Sequence, residues 1–219
     1  MTEISTSILS VNEENSIKTF YDLEVAGTNY YHIDVMDGKF VENNTEKKML
    51  EFATSIKHIS NLPLDVHLMV ENIKEDIDKY LSLEPKIITF HYEACKNKKE
   101  VYDYIKYIKN NDIKPGLSIK PATPVEEILE FLPYLHLVLV MTVEPGKGGQ
   151  KLIPETIEKI KELKDYIEKN NLDTYIEADG GIKEENAYLL KDAGVDIIVS
   201  GSGIISSKNM KETIKNLAK

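Results

Sequence analysis

Apolar and polar positions along this chain follow two periods. A short β-branched or apolar run gives way to a polar turn, then to a stretch in which apolar residues recur every three or four positions, and the cycle repeats eight times. The pattern predicts strands at residues 4–8, 31–35, 64–68, 87–91, 114–119, 137–141, 174–178 and 196–200. The clearest of the intervening helices is predicted over 154–169. There Ile157, Ile160, Leu163 and Ile167 share one face, lysines and glutamates take the other, and Pro154 suits the first turn.

Dividing 219 residues among eight strand-plus-helix units leaves about 27 for each, which fits an α/β chain folded as a compact (β/α)8 TIM barrel. An open doubly wound sheet is the rival. It carries a glycine-rich nucleotide turn after its first strand, whereas Leu9-Ser10-Val11-Asn12 contains no glycine. No linker or low-complexity run divides the chain, so residues 1–219 are expected to form a single domain. A barrel collects its chemically useful side chains at the C-terminal ends of the strands.

Composition adds exclusions. The 42% hydrophobic content suffices for a sizeable core, and 27 basic against 37 acidic residues leave a net charge of −10. Every basic residue is lysine. Nucleic acid and anionic membrane are therefore not expected as partners. No apolar run approaches the roughly 18 residues of a membrane span; those such as 135–140 are strand-sized. The opening MTEISTSILS lacks the basic start of a secretory signal, and the lone Cys95 cannot form an internal disulfide, so a cytoplasmic location is expected.

Candidate chemistry concentrates in three strands. In the second, His32, Asp34 and Met36 alternate onto one face. That His-x-Asp pair reads either as two ligands of one ion or as a histidine hydrogen-bonded to a neighbouring carboxylate. The third strand repeats the theme with His67 and Met69, and adjacency in a barrel would bring His32, Asp34 and His67 together. The seventh ends in Glu177-Ala178-Asp179, a further ligand source on the same rim. Two imidazoles and two carboxylates suit zinc or another first-row divalent ion, and unpaired buried carboxylates without one would be costly.

Glycine turns follow the late strands: Gly146-Lys147-Gly148-Gly149, Gly180-Gly181 and Gly201-Ser202-Gly203. Each alone reads as an ordinary turn, but three on one rim favour an anion site made of backbone N–H groups. Met36, Met69 and Met141 sit at strand ends, either as core filling or as an apolar lining of the site. Cys95 and the lysine-rich 96–99 are read as an inert thiol and a solvated helix start.

Together these residues resemble a known family. The segments His32-Ile33-Asp34-Val35-Met36-Asp37-Gly38, Asp65-Val66-His67-Leu68-Met69-Val70, Met141-Thr142-Val143-Glu144-Pro145-Gly146, Gly148-Gly149-Gln150, Asp179-Gly180-Gly181 and Ser200-Gly201-Ser202 are similar, in order, to those of the ribulose-phosphate 3-epimerases, from Ser7 to about Ile205. The resemblance implies a ribulose-phosphate-binding barrel that interconverts D-ribulose 5-phosphate and D-xylulose 5-phosphate with one divalent metal ion (zinc, iron, manganese or cobalt). It implies His32, Asp34, His67 and Asp179 as metal ligands, and Asp34 and Asp179 as the two bases of a 1,1-proton transfer at C3 through a metal-stabilised enediolate. Ser7 and His67 would touch the substrate. Its phosphate would lie among Gly146, Lys147, Gly148, Gly149, Gly180, Gly181, Gly201 and Ser202. Barrels of this family often associate, so a homo-oligomer is expected.

Three positions depart from the family pattern: Lys39 in place of histidine, Glu42 in place of proline, and Lys147 within a loop that typically carries phenylalanine. Two alternatives stand beside the pentulose reading: epimerisation of a hexulose phosphate such as D-allulose 6-phosphate, and a non-catalytic sugar-phosphate-binding barrel. The uninterrupted Gly148-Gly149-Gln150 and Asp179-Gly180-Gly181 follow the pentose pattern. Two opposed carboxylates would be superfluous in a mere binder.

Overall fold

The computed structural model describes residues 2–219. Its strands are β1 (Glu3–Ser7), β2 (Tyr30–Met36), β3 (Leu64–Met69), β4 (Ile87–His91), β5 (Lys114–Ile119), β6 (Leu137–Met141), β7 (Tyr175–Asp179) and β8 (Ile197–Ser200). All pair in parallel in chain order, and β1 closes on β8 to form the expected barrel. Helices α1 (Ser16–Ala26), α2 (Glu46–Ile59), α3 (Ile73–Leu81), α4 (Lys98–Asn110), α5 (Thr156–Lys169), α6 (Ala187–Asp192), α7 (Ser202–Ile205) and α8 (Met210–Ala218) lie between and after the strands.

Predicted and observed elements differ mainly at their edges. β7 starts one residue later than its prediction, after Thr174 has turned its hydroxyl to the Leu132 carbonyl, and runs on to Asp179, whose carbonyl accepts from Thr142 N–H. Helix α5 begins after Pro154 rather than with it; Ile160, Leu163 and Ile167 are buried and Ile157 packs partly covered against the core. The larger departure lies between β5 and β6. No α-helix forms there, only two 3-10 turns, Val125–Glu127 and Leu132–Tyr134, which bury Val125, Ile128, Phe131 and Leu132 against the barrel. Pro124 caps the first turn and Pro133 lies within the second, and a proline inside an α-helix would both lack the ladder N–H and clash with the preceding turn.

Strand faces divide the interior into two environments. Ile33, Val35, Val66, Leu68, Val138 and Val140 point outward into the layer shared with the helices. A smaller apolar cluster, including Tyr30, Ile87, Leu137, Leu139 and Ile197, fills part of the barrel itself. At the inward positions of β2, β3 and β7 the filling is polar: His32, Asp34, Asp65, His67 and Glu177 are all buried. The β2–β3 register pairs His32 with Asp65, Asp34 with His67 and Met36 with Met69. Two local motifs thus interlock into one cluster.

Candidate metal centre and substrate cavity

The cluster lies at the C-terminal ends of the strands. His32 Nε2 is 3.4 Å from Asp34 Oδ1 and 3.9 Å from Asp179 Oδ2, while His67 Nδ1 is 3.5 Å and 3.7 Å from the same two oxygens. One donor atom from each of the four residues falls within 4.8 Å of the others. Among the described residues, His32 Nε2 and His67 Nδ1 are buried and have no hydrogen-bond partner. A pair of orphaned ring nitrogens facing two carboxylates costs free energy unless a cation completes it, and this nitrogen-and-oxygen set can hold a divalent metal ion.

Neighbours fix both ring orientations. His32 Nδ1 lies 2.7 Å from Asp65 Oδ2, which also accepts from the Ser5 hydroxyl at 2.7 Å. The closest carboxylate of His32 is therefore Asp65, across the β2–β3 pairing, rather than Asp34 two residues along its own strand. On the other ring, His67 Nε2 meets His91 Nε2 at 2.9 Å, and His91 Nδ1 lies 3.1 Å from Glu93 Oε2. Neither His91 nor Glu93 stood out in the sequence. The only local signal is a His-x-Glu at the end of β4, and its meaning depends on the neighbouring strand.

Charge is distributed unevenly. Burial alone would push Asp34 up, but the His32 and His67 rings beside it hold its carboxyl far below the usual range. Burial and the Asp34 charge instead push Asp179 up to about 6. Two carboxyls converging on one spot with opposite shifts form the pattern of an acid–base pair. His32 is disfavoured as a cation by burial, yet Asp65 and Asp34 outweigh this and raise its pKa well above that of a free histidine. Beneath them, burial and then Asp65 raise Glu177 well above an ordinary carboxyl. His91 is driven the other way, down to about 4, by burial and the neighbouring His67 and Lys120, against Glu93. Burial pushes Glu93 up as well, but the His91 ring, the Lys120 N–H and the Thr123 hydroxyl outweigh it and hold the carboxyl down at about 2.

Above the cluster opens a cavity of about 380 Å³. Asp34 and Asp179 line it, whereas His32 and His67 sit beneath its floor with no exposed surface. Ser7 also lines it, with its hydroxyl turned to Asp34 Oδ2. Met36, Met69 and Met141 form an apolar wall. The three glycine turns bound the far side, bringing Gly146, Lys147, Gly148, Gly149, Gly180, Gly181, Gly201 and Ser202 to one surface. Gly180 is obligatory there: its φ is +120° and a Cβ would stand 2.2 Å from Val143 Cγ2. Lys183, just past that turn, joins Lys147 as the second lysine of the lining. Sequence reasoning passed over Lys183, although it lies two residues beyond Gly181. Cys95 lies away from the cavity lining, half-buried, with burial raising its thiol to about 12. No helix among the described residues is long and apolar enough to cross a membrane.

The chain resembles known proteins over nearly its full length. A model of the ribulose-phosphate 3 epimerase family matches residues 3–205. A ribulose-phosphate 3-epimerase of Methanocaldococcus jannaschii is 40% identical over 217 residues, covering 99% of this chain and 90% of that protein. One from Bacillus subtilis is 37% identical, covering 99% and 98%. Among solved structures, a 3-hexulose-6-phosphate synthase superposes with a TM-score of 0.70 at 11% identity, over 99% of this chain and 98% of the other, a likeness of fold alone.

Proposed function

Because the chain belongs to the ribulose-phosphate 3-epimerase family, we propose that it interconverts D-ribulose 5-phosphate and D-xylulose 5-phosphate, with Asp34 and Asp179 as its two bases and a divalent ion held by His32, Asp34, His67 and Asp179. The observation that carries this reading is the convergence of both carboxylates and both orphaned ring nitrogens at the floor of one cavity.

Inverting a carbon beside a ketone requires a proton to leave one face and another to arrive on the opposite face, so one carboxyl per face is the minimal equipment. Asp34, kept ionised by its histidine neighbours, is suited to take a proton. Asp179, its pKa raised, is suited to give one, and the roles exchange in the reverse direction. A divalent ion held by His32, Asp34, His67 and Asp179 would supply Lewis-acid stabilisation of the charge that develops on the substrate oxygens. The Ser7 hydroxyl restrains Asp34, and the three methionines keep water from the planar enediolate without offering it a proton. At the far side the glycine turns, with Lys147 and Lys183, would receive the phosphate.

Side-by-side rates on D-ribulose 5-phosphate and D-allulose 6-phosphate, with metal content measured on the same sample, test the proposal. The pentulose is expected to turn over faster, with exchange of its C3 proton for solvent deuterium. Binding without exchange would mark a non-catalytic barrel, and faster turnover of the hexulose would mark the other epimerase.

A further inference from the structure

We propose that Glu93 and His91 are positioning residues that hold His67 in the one tautomer able to offer Nδ1 to a metal ion, a relay of carboxylate, imidazole and imidazole ending at the ion. The proposal rests on the metal site read above.

The contacts fix where each ring proton sits. Glu93 Oε1 accepts from the Lys120 backbone N–H at 2.7 Å and from the Thr123 hydroxyl, which pins the carboxylate and leaves Oε2 as an acceptor 3.1 Å from His91 Nδ1. A neutral His91 has one ring proton, and Oε2 claims it at Nδ1. His91 Nε2 then carries a lone pair. That nitrogen is 2.9 Å from His67 Nε2 while the ring centroids are 5.0 Å apart, so the rings meet edge to edge, as a hydrogen bond in the ring planes requires. The contact needs one proton, and only His67 can supply it. His67 is therefore protonated on Nε2, and its Nδ1, buried and otherwise without a partner, presents its lone pair to Asp34 and Asp179. All three side chains are held: His67 and His91 have no exposed surface, the Phe40 ring packs 4.9 Å from His91, and Lys120 Nζ stands 4.0 Å from the Phe40 ring centroid. A hydrogen-bonded carboxylate or carbonyl commonly orients a metal-bound histidine directly; here a second imidazole is interposed.

Glu93→Gln turns the logic into a test. The amide oxygen would stay on the Lys120 and Thr123 donors, which places the amide N–H against His91 Nδ1. Each ring must then reverse its tautomer, and His67 Nδ1 acquires the proton. In metal-free, ¹⁵N-histidine-labelled protein at neutral pH, two-bond ¹H–¹⁵N spectra should show His91 protonated on Nδ1 and His67 on Nε2, with both reversed in Glu93→Gln. Zinc affinity, measured by competition with a chromophoric chelator, should fall about 10- to 100-fold in the variant. Wild-type His91 protonated on Nε2 would overturn the relay, as would a folded Glu93→Gln protein with unchanged tautomers and zinc affinity. If the variant does not fold, the wild-type spectra decide alone. A wild-type protein with the stated tautomers that takes up no divalent ion would instead overturn the metal site, and with it the purpose assigned to the relay.

Discussion

The Ser7 hydroxyl donates to Asp34 Oδ2 at 2.6 Å, which leaves Oδ1 as the oxygen turned to the His32 and His67 rings. One carboxylate is thereby divided between an orienting hydrogen bond and the converging cluster. Asp34→Asn would remove the charge from both, and Asp179→Asn would remove the opposing proton carrier. Each should lower kcat by about 10² to 10⁴, the span typical of a general acid or base, with the shared ligand role pushing toward the upper end. Steady-state rates of the two variants check this. Retention of more than about a tenth of wild-type activity, outside that span, in either one rejects the pair.

Metal uptake should release protons. The raised pKa of His32 means that in the metal-free protein a proton competes for this cluster, so affinity should be higher near pH 8 and weaken near pH 6. Zinc titration by chelator competition in weakly coordinating buffers at the two values measures it. Chelation should also abolish turnover while leaving the circular dichroism spectrum of the barrel intact, because its apolar layers do not involve the cluster. Activity indifferent to exhaustive chelation would remove the four-residue site.

His91 predicts a pH-dependent stability. Its folded pKa of about 4 lies below the ordinary 6.5, so the folded state resists protonation. The stabilisation is complete above about 6.5 and is lost as pH falls from there toward 4, amounting to roughly 3 kcal/mol across the window. Glu93, Lys120 and His67 are the charged or titratable groups around the ring, and the depressed Glu93 adds its own loss only below about 4.5. Urea unfolding of metal-free wild type and His91→Gln between pH 7.5 and 4.5 isolates the effect. The wild type should lose stability relative to the variant as the solution is acidified, and a difference independent of pH would reject the neutral buried ring.

Lys147 tests how a chain without arginine attracts a dianionic ester. With a net charge of −10, the approach of phosphate relies on backbone dipoles and on lysines at the rim, and Lys147 and Lys183 both line the cavity. Lys147→Phe should raise KM several-fold at low salt and flatten its dependence on ionic strength, because an attractive charge within a Debye length is lost. If KM and its salt dependence are both unchanged, the residue is a surface substitution with no part in binding.

Much of the architecture was legible in the order of residues because it arises from local periods. Short apolar or β-branched runs such as Ile87–His91 and Leu137–Met141 appear as strands with the expected bounds, and helix α5 buries Ile160, Leu163 and Ile167 of the stripe its spacing marks out. His32 with Asp34, and His67 with Met69, could be assigned to common faces because side chains alternate along a strand. Their meeting across strands depended on closure of the barrel, and tertiary structure alone decided the partners. Register across β2 and β3 sets Asp65, not Asp34, against His32 Nδ1, and the approach of β4 brings His91, backed by Glu93, against His67. It also decided that two short 3-10 turns, rather than a helix, would cover the barrel between β5 and β6. Spacing along one strand determines which face a side chain takes, but the atom it touches is fixed by pairing between strands, which bring together residues dozens of positions apart with no periodic signal to link them.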